Sequence, residues 1–337
     1  MQFKGIELHN VRELIKGEYG YVLSRLPSSL GDIIKGDPKT ASGVELRLVP
    51  ISDEVKIKIK RVLPGVTVAN IYYGSIQSGW RELYKPITYE PCEISVKRST
   101  NLETLRGFSE RIGAAFSPEV VRIVLQSGQY EIIDVEGECR VPTAEELPKR
   151  TYLAYGSSIT HGSLSITPCR SYPFIISERL GADYLNFGYA GSARLEPEMA
   201  DFIADECEFD FASIEMGINM LKVFDPEELR TRVNYFVKRI ATAHPTKPIY
   251  ATSIFYHSED FLKPGDETST TSIFRKVIKE TVLALDLPNV TFVDGLSILS
   301  GVEYLSEDTT HPNAEGIEMI AKGFLKVMKN GKLKVDN

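Results

Sequence analysis

Apolar and polar residues alternate along most of the first half of the chain. Between about residues 43 and 141 the alternation has a period of two, which is typical of strands with one buried face. Turn signals such as Leu63-Pro64-Gly65 and Ser127-Gly128 separate the alternating stretches. Several short strands at this spacing predict an antiparallel β-sandwich in which each sheet keeps one face in water. The predicted strands are VELRLV, EVKIKIKRV, TVANIYYG, CEISVKR, VVRIVLQ and YEIIDVEG.

The pattern changes after residue 150, where short continuous apolar runs alternate with helical stretches. One predicted helix, SYPFIISERLG, has Pro173 near its start and Gly181 at its end. Another begins at Asp225, with Pro226 next and Glu228 three residues after the cap. This alternation of strand and helix predicts a parallel sheet with helices on both faces, as in flavodoxin-like folds. Its five predicted strands are YLAYG, YLNFG, FASIEMG, IYATSIF and VTFVD.

The boundary between the two patterns falls at VPTAEELPKR, residues 141–150, which contains two prolines and a cluster of charges. The length of 337 residues also favours two domains. We therefore expect a jelly-roll-like β-sandwich over residues 1–147 and a doubly wound α/β domain over residues 148–337. The sandwich is expected either to bind carbohydrate or to form one wall of a site.

Composition and charge narrow the function further. With 42% apolar and 25% charged residues, the chain has the composition of a soluble globular protein. Its net charge of −7 and scattered basic residues argue against nucleic acid or an anionic membrane surface as a partner. No apolar stretch predicts a secretory signal or a membrane span. We expect a cytoplasmic protein with reduced thiols, because no CxxC pair occurs among Cys92, Cys139, Cys169 and Cys207.

Small and hydrogen-bonding residues follow four of the five predicted strands of the second half. Ligands of open parallel sheets bind outside the carboxyl ends of the strands, so these residues are expected to meet there. The four blocks are Gly156-Ser157-Ser158-Ile159-Thr160-His161, Asn186-Phe187-Gly188-Tyr189-Ala190-Gly191, Gly217-Ile218-Asn219 and Asp308-Thr309-Thr310-His311-Pro312.

Ser158 and His311 are the candidates for nucleophilic chemistry. A serine hydroxyl needs an adjacent base, and histidine is the usual one because its pKa lies near the working pH. His311 follows Asp308 by three residues at the start of a predicted helix, so one turn would place the carboxylate beside the imidazole. The sequence therefore predicts Ser158, His311 and Asp308 as a catalytic triad.

The same blocks supply candidate donors for an oxyanion. The backbone amides of Ser158 and Gly191 and the side-chain amide of Asn219 come from three strand ends and would converge there. Glycine at position 191 would let the backbone approach a substrate closely. His161 is a further candidate, either contacting substrate or playing a structural role.

These four blocks, in this order, resemble the SGNH (GDSL-type) superfamily of esterases, lipases and acyltransferases over roughly residues 150–325. The resemblance implies Ser158 as nucleophile, Asp308 and His311 as its DxxH partners, and Gly191 and Asn219 in the oxyanion hole. It implies no cofactor. Two positions depart from the family pattern, because Ser157 and Met220 stand where the family usually has aspartate.

Other interpretations of the same residues remain open. Ser158 taken alone could be a helix N-cap, and Gly188 and Gly191 could be turn glycines, whereas a nucleotide loop would need a full GxGxxG. No HExxH or CxxC motif supports a metal site. The aromatic residues of the sandwich could form a platform for sugars or pack in a core. They are Tyr72, Tyr73, Trp80, Tyr84 and Tyr89.

We expect a serine esterase that acts on a short-chain carboxylic ester, with an acetylated sugar or another small polar alcohol as substrate. An acyltransferase with the same triad is one alternative, since both reactions share an acyl-enzyme. An inactive carbohydrate-binding protein is the other. The oligomeric state is left open by the sequence.

Overall fold

The computed structural model describes residues 1–80 and 82–330. In that part of the chain the first half forms two antiparallel sheets, together with the short helices α1 (Ser28–Gly31) and α2 (Leu102–Ile112). The strands are β1 (Gln2–Phe3), β2 (Ile6–His9), β3 (Glu13–Lys16), β4 (Tyr21–Ser24), β5 (Glu45–Pro50), β6 (Glu54–Arg61), β7 (Val66–Tyr73), β8 (Ile76–Gln77), β9 (Tyr84–Thr88), β10 (Cys92–Lys97), β11 (Val121–Leu125), β12 (Tyr130–Glu136) and β13 (Cys139–Arg140).

The two antiparallel sheets enclose one apolar core, as a sandwich does. The larger sheet has the order β1-β2-β5-β11-β7-β8, with β13 on β5 and β9 on β7, and the smaller has the order β10-β6-β12-β4-β3. The six predicted strands are confirmed as β5, β6, β7, β10, β11 and β12. The remaining strands are two to five residues long, too short for alternation to reveal them.

The second half forms the predicted doubly wound parallel sheet, which is confirmed with five strands. Its order β15-β14-β16-β17-β18 is the flavodoxin-like order, with the first strand in chain order between the second and the third. The strands are β14 (Thr151–Gly156), β15 (Asp183–Gly188), β16 (Phe211–Glu215), β17 (Ile249–Thr252) and β18 (Val290–Val293). The helices are α3 (Ser158–His161), α4 (Tyr172–Leu180), α5 (Pro197–Glu206), α6 (Pro226–Ala243), α7 (Ser258–Leu262), α8 (Thr270–Ala284), α9 (Gly295–Ile298) and α10 (Ala314–Asn330).

Both helix signals of the second half are confirmed at their predicted residues. Asp225 caps α6, its carboxylate accepting from the backbone N–H of Glu227 at 3.0 Å and of Glu228 at 2.9 Å. Gly181 ends α4 in the left-handed conformation, with φ of 57°. None of the helices in the described residues is long and apolar enough to cross a membrane.

The outer face of the larger antiparallel sheet is buried at β5 and β11, so the prediction that each sheet keeps one face in water is wrong for this part of the sheet. Every residue of β5 and β11 is buried. This face packs against α4 and β15, and Val124 of β11 belongs to the same apolar cluster as residues of the parallel sheet. Alternation shows which residues share a face, but it does not show what covers that face.

A network of charges lies in this interface. Arg47 of β5 donates two hydrogen bonds of 2.7 Å to the Asp183 carboxylate and one of 2.8 Å to Glu45. Arg122 of β11 contacts Glu45 at 2.7 Å and reaches Glu178 of α4 at 2.9 Å. Burial alone would raise the pKa of Glu45, but Arg122 and Arg47 outweigh it and bring the pKa to about 2. All of these carboxylates therefore have a guanidinium partner, as buried charges require.

The sandwich also covers the free edge of the parallel sheet, which is formed by β15. The outward carbonyls of an edge strand have no strand partner. His9 Nε2 lies 2.6 Å from the backbone oxygen of Tyr184. Arg25 donates to the backbone oxygens of Asn186 at 2.7 Å and Gly188 at 3.1 Å. Side chains of the sandwich thus take the place of a sixth strand along β15.

The segment predicted as a linker is ordered by local contacts. Residues Ala144–Glu146 form a 3-10 helix, and Glu146 pairs with Arg140 through two contacts of 2.7 Å. The domain boundary at residue 147 stays a prediction.

The aromatic residues of the sandwich differ in their burial. Tyr72 packs against Phe174 of α4 with ring centroids 5.9 Å apart, which agrees with core packing. In contrast, Trp80 is 81% exposed, Tyr84 51% and Tyr89 42%. The prediction of core packing therefore does not extend to these three.

We expect Arg47→Met to destabilise the protein by about 3 to 5 kcal/mol, because it leaves the half-buried Asp183 without a guanidinium partner and removes one of the two partners of the buried Glu45. The measurement is the free energy of unfolding from urea denaturation. Arg106→Met is the matched control: Arg106 is exposed and pairs with Glu119, so its loss should cost less than about 1 kcal/mol. Equal effects of the two substitutions would show that the buried network adds nothing to stability.

Candidate active site

The strand β14 ends where Ser158 begins a short helix. Ser157 caps α3, its hydroxyl accepting from the Ile159 N–H at 3.2 Å. The N-cap role considered for Ser158 thus belongs to Ser157, and the Ser158 hydroxyl is available for other contacts. The helix α3 packs directly on the end of β15. A Cβ on Gly188 would lie 2.2 Å from the backbone nitrogen of His161. Glycine at position 188 therefore allows α3 to sit against the sheet.

Ser158, His311 and Asp308 lie in hydrogen-bond contact. The Ser158 Oγ is 2.7 Å from His311 Nε2, and His311 Nδ1 is 2.6 Å from Asp308 Oδ2. An ionised carboxylate can only accept, so Nδ1 donates to Asp308 and Nε2 is the acceptor for the serine hydroxyl. This is the arrangement in which a histidine can take the serine proton.

The local structure around Asp308 differs from the predicted helix start. Asp308 and His311 lie in a turn, and α10 begins only at Ala314. The Asp308 Oδ1 accepts from the backbone N–H of Thr310 at 3.0 Å and of His311 at 2.9 Å, while Thr309 has a positive φ of 62°. The Asp308 carboxylate closes this turn by accepting backbone hydrogen bonds, as aspartate commonly does. The closed turn, and not a helix, places Asp308 beside the His311 ring.

The same hydrogen bonds hold Asp308 in its ionised form. Burial would raise the pKa of Asp308, but the backbone N–H groups of His311 and Thr310, the His311 ring and Ser306 together hold it well below its usual value. The carboxylate therefore stays charged at ordinary pH and can stabilise an imidazolium beside it.

The three candidate oxyanion donors keep free hydrogen-bonding capacity. Among the described residues, the N–H groups of Ser158 and Gly191 and the Asn219 Nδ2 donate to no other protein group. The Asn219 Oδ1 accepts from the Ala193 N–H at 3.2 Å, which leaves the amide nitrogen of Asn219 free to face outward. Gly191 has φ of 70°, and a Cβ there would meet nothing within 4 Å. The positive φ by itself favours glycine at this position, and a close approach of the backbone to a substrate stays a prediction.

These residues line one cavity of about 720 Å³. Its lining includes Ser158, Gly191, Asn219 and His311 together with apolar side chains such as Leu221. All of the described lining residues belong to the second half of the chain, from Ser158 onwards. The sandwich instead contributes to a neighbouring cavity of about 200 Å³.

His161 lies in that neighbouring cavity and not in the one that contains Ser158. It shares the smaller cavity with Arg25 and Tyr189, while Ser163 and Ala190 belong to the linings of both cavities. Burial, with a contribution from the Arg25 charge, lowers the pKa of His161 to about 3. The ring is therefore neutral at ordinary pH, and its Nδ1 lies 3.3 Å from the Ser163 hydroxyl. A substrate contact by His161 stays a prediction.

Glu215, at the end of β16, is a residue that the sequence analysis missed. Its carboxylate accepts from the Ser157 N–H at 2.6 Å and from the Thr160 hydroxyl at 3.2 Å, directly beneath the turn that carries Ser158. The side chain is only 1% exposed, and burial raises its pKa although these hydrogen bonds oppose the shift. The sequence contains one sign of this residue, which is a glutamate inside the apolar run FASIEMG. A carboxylate in a buried strand is costly unless it has hydrogen-bond partners, so its presence there indicates a specific role.

The two departures from the family pattern have different surroundings. Ser157 caps α3, and the carboxyl group beneath this turn belongs to Glu215. Met220 is 1% exposed and packs in the core of the second half. An aspartate at position 220 would bury a charge in an apolar cluster.

A second histidine, His257, lines the cavity, but its ring contacts a hydroxyl other than that of Ser158. Its Nε2 lies 3.0 Å from the Thr271 hydroxyl. In the described part of the chain, no cluster of three or more His, Cys, Asp or Glu side chains is placed to hold a metal ion.

Solved structures share the fold over nearly the whole chain. A salicylyl-acyltransferase from a tetracycline biosynthetic pathway is 20% identical, with a TM-score of 0.79 and coverage of 98% of this chain and 96% of that one. A family two carbohydrate esterase from Cellvibrio japonicus is 14% identical, with a TM-score of 0.64 and coverage of 97% and 95%. Another from Clostridium thermocellum, in complex with cellohexaose, is 13% identical, with a TM-score of 0.61 and coverage of 97% and 98%.

A search of curated protein sequences finds no match. The model of the GDSL-like lipase/acylhydrolase family, in contrast, matches residues 149–329, which is more than half of the chain. This match covers the parallel sheet, all four sequence blocks and the cavity around Ser158, and it confirms the predicted SGNH (GDSL-type) resemblance. The chain belongs to the GDSL-like lipase/acylhydrolase family.

Proposed function

We propose that the protein is a serine esterase that cleaves carboxylic esters through an acyl-enzyme on Ser158. The observation that carries this proposal is the 2.7 Å contact from Ser158 Oγ to His311 Nε2, with Asp308 holding the other ring nitrogen at 2.6 Å. In a member of an acylhydrolase family, a histidine in contact with the serine hydroxyl can act as the base that activates the serine. Unpaired donors beside the hydroxyl support the same reaction.

In the proposed mechanism Ser158 attacks the ester carbonyl while His311 takes its proton. The resulting oxyanion accepts hydrogen bonds from the Ser158 and Gly191 N–H groups and the Asn219 side chain, each worth about 3 to 4 kcal/mol when removed from related acyl-transfer sites. The imidazolium then protonates the leaving alcohol as the carbon–oxygen bond breaks. Water attacks the acyl-enzyme with His311 as base, and the carboxylic acid leaves as Ser158 recovers its proton.

The acyl group is proposed to be short, with acetyl esters of sugars or other small polar alcohols as the first substrates to test. Carbohydrate esterases share the fold, which makes sugar esters a reasonable class to begin with. The cavity of about 720 Å³ exceeds what an acetyl group fills, so a series of acyl chain lengths belongs in the same test.

Acyl transfer to an alcohol instead of to water is the second candidate function. The size of the cavity favours it, because an acceptor can enter beside the acyl-enzyme. A structure of similar fold is a salicylyl-acyltransferase. Product analysis with competing alcohols separates the two reactions, since a transferase yields a new ester and a hydrolase yields the free acid.

Glu215 is proposed to act as a positioning residue. It holds the Ser157 N–H and the Thr160 hydroxyl on either side of Ser158, which fixes the start of α3. It therefore acts through the nucleophile turn, and not through contact with substrate.

We expect Ser158→Ala to lower kcat for p-nitrophenyl acetate by about 10⁴-fold or more, because no other group replaces the nucleophile. A fluorophosphonate probe should label the native protein at Ser158 and leave the variant unlabelled. Ser28→Ala, at an exposed position in α1, is the control and should keep both activity and labelling. A folded Ser158→Ala protein with native turnover would refute the proposal.

For Glu215→Ala we expect kcat/KM for p-nitrophenyl acetate to fall by about tenfold, because the Ser157 N–H and the Thr160 hydroxyl lose the acceptor that they share. Glu215→Gln should recover most of this loss, since the amide oxygen can accept the same two hydrogen bonds. Steady-state kinetics with p-nitrophenyl acetate measure both variants. Glu206→Ala, an exposed change at the end of α5, should leave kcat/KM unchanged. A native kcat/KM in Glu215→Ala would refute the positioning role.

A further inference from the structure

Two positive charges line the cavity that contains Ser158. Arg194 follows Gly191 by three residues on the loop after β15, and Lys222 follows Asn219 by three residues on the loop after β16. Both cations therefore come from the loops that carry the proposed oxyanion donors.

Neither cation has an anionic partner in residues 1–80 and 82–330. No carboxylate oxygen lies within salt-bridge distance of Arg194 or Lys222, and the buried Nε of Arg194 lacks any hydrogen-bond acceptor. The neighbouring arginines of α6 differ, since Arg232 pairs with Glu228 at 2.5 Å and Arg239 with Asp201 at 2.8 Å. A guanidinium donor that is withdrawn from water and lacks an acceptor costs free energy unless a ligand supplies that acceptor.

The acidic groups around the cavity do not neutralise these cations. Glu259 is the carboxylate in the described lining, and its Oε1 lies 3.2 Å from Lys263 while its Oε2 accepts from the Thr271 N–H at 3.0 Å. Asp308 and Glu196 lie outside this lining: Asp308 pairs with His311, and Glu196 accepts from the backbone N–H of Arg194 at 3.3 Å and not from its guanidinium. The lining thus presents unpaired positive charge on the wall formed by the two oxyanion loops.

We propose that this wall binds an anionic group of the substrate, a carboxylate or a phosphate, that accompanies the ester being cleaved. The proposal rests on the proposed esterase function and names the substrate class of the same site. A planar guanidinium presents paired donors to two oxygens of a carboxylate or phosphate, and a lysine adds a point charge. The anion can belong to the acyl part or to the alcohol part of the ester, and the experiment separates these sources.

The first arm places the charge on the acyl side. It compares kcat/KM for mono-4-nitrophenyl adipate and 4-nitrophenyl hexanoate, which share the chain length and the leaving group. The second arm places the charge on the alcohol side and compares 1-acetylglycerol 3-phosphate with 1-acetylglycerol. In at least one arm we expect the wild type to prefer the charged member by about tenfold or more, as a charge-assisted hydrogen bond implies.

The variants Arg194→Gln and Lys222→Gln test whether these side chains create the preference. Each should lower the ratio of charged to neutral kcat/KM by about tenfold, and salt near 0.5 M should lower it in the wild type through screening at the exposed Lys222. Lys279→Gln is the control with the same change of charge, at an exposed position of α8 outside the cavity lining, and should leave the ratio unchanged.

Three results would overturn the inference while leaving the esterase proposal standing. They are equal turnover of charged and neutral esters in both arms, a preference that survives Arg194→Gln and Lys222→Gln, and an equal loss for both members of each pair. Calorimetry with adipate and glycerol 3-phosphate on Ser158→Ala gives a readout that does not depend on turnover. Binding that needs Arg194, in a protein that cleaves no ester, would assign the failure to the proposed function instead.

Discussion

The contact between Ser158 Oγ and His311 Nε2 joins residues 153 positions apart in the chain, and the chemistry of the site depends on it. Each end is fixed by its own surroundings. Ser158 lies at the start of α3, between the cap at Ser157 and the Glu215 carboxylate beneath it. His311 lies in a turn that Asp308 closes. A hydroxyl and an imidazole held this way need little reorganisation before proton transfer, which is the advantage of a site built on rigid elements.

The sandwich contributes to this geometry from outside the cavity. β15 is the edge strand of the parallel sheet, and the loop that follows it carries Gly191. His9 and Arg25 occupy the outward carbonyls of β15, while Arg47 holds its first residue, Asp183. An edge strand without such partners presents open hydrogen-bonding groups, so the sandwich fixes the strand that ends beside the nucleophile.

Charge is distributed in two ways in this protein. At the interface, Arg47, Arg122 and Glu45 are buried, and the two arginines pair with Glu45 and with the half-buried Asp183 and Glu178, so each charge that leaves water gains a partner of opposite sign. In the cavity, Arg194 and Lys222 lack carboxylate partners among residues 1–80 and 82–330. Paired burial of charge fixes one arrangement of two surfaces, whereas unpaired charge in a cavity is available to a ligand.

The sequence by itself determined the two periodicities, the five parallel strands and the four blocks after them, because these are local patterns of apolar and polar residues. It also singled out Ser158, Asp308 and His311, since the spacing of a carboxylate and an imidazole is visible in one dimension. Only the tertiary structure decided what covers the outer face of the larger sheet, why Glu215 is buried, and which cavity His161 enters. Each of these depends on contacts between residues distant in the chain, and periodicity describes a face without naming its partner.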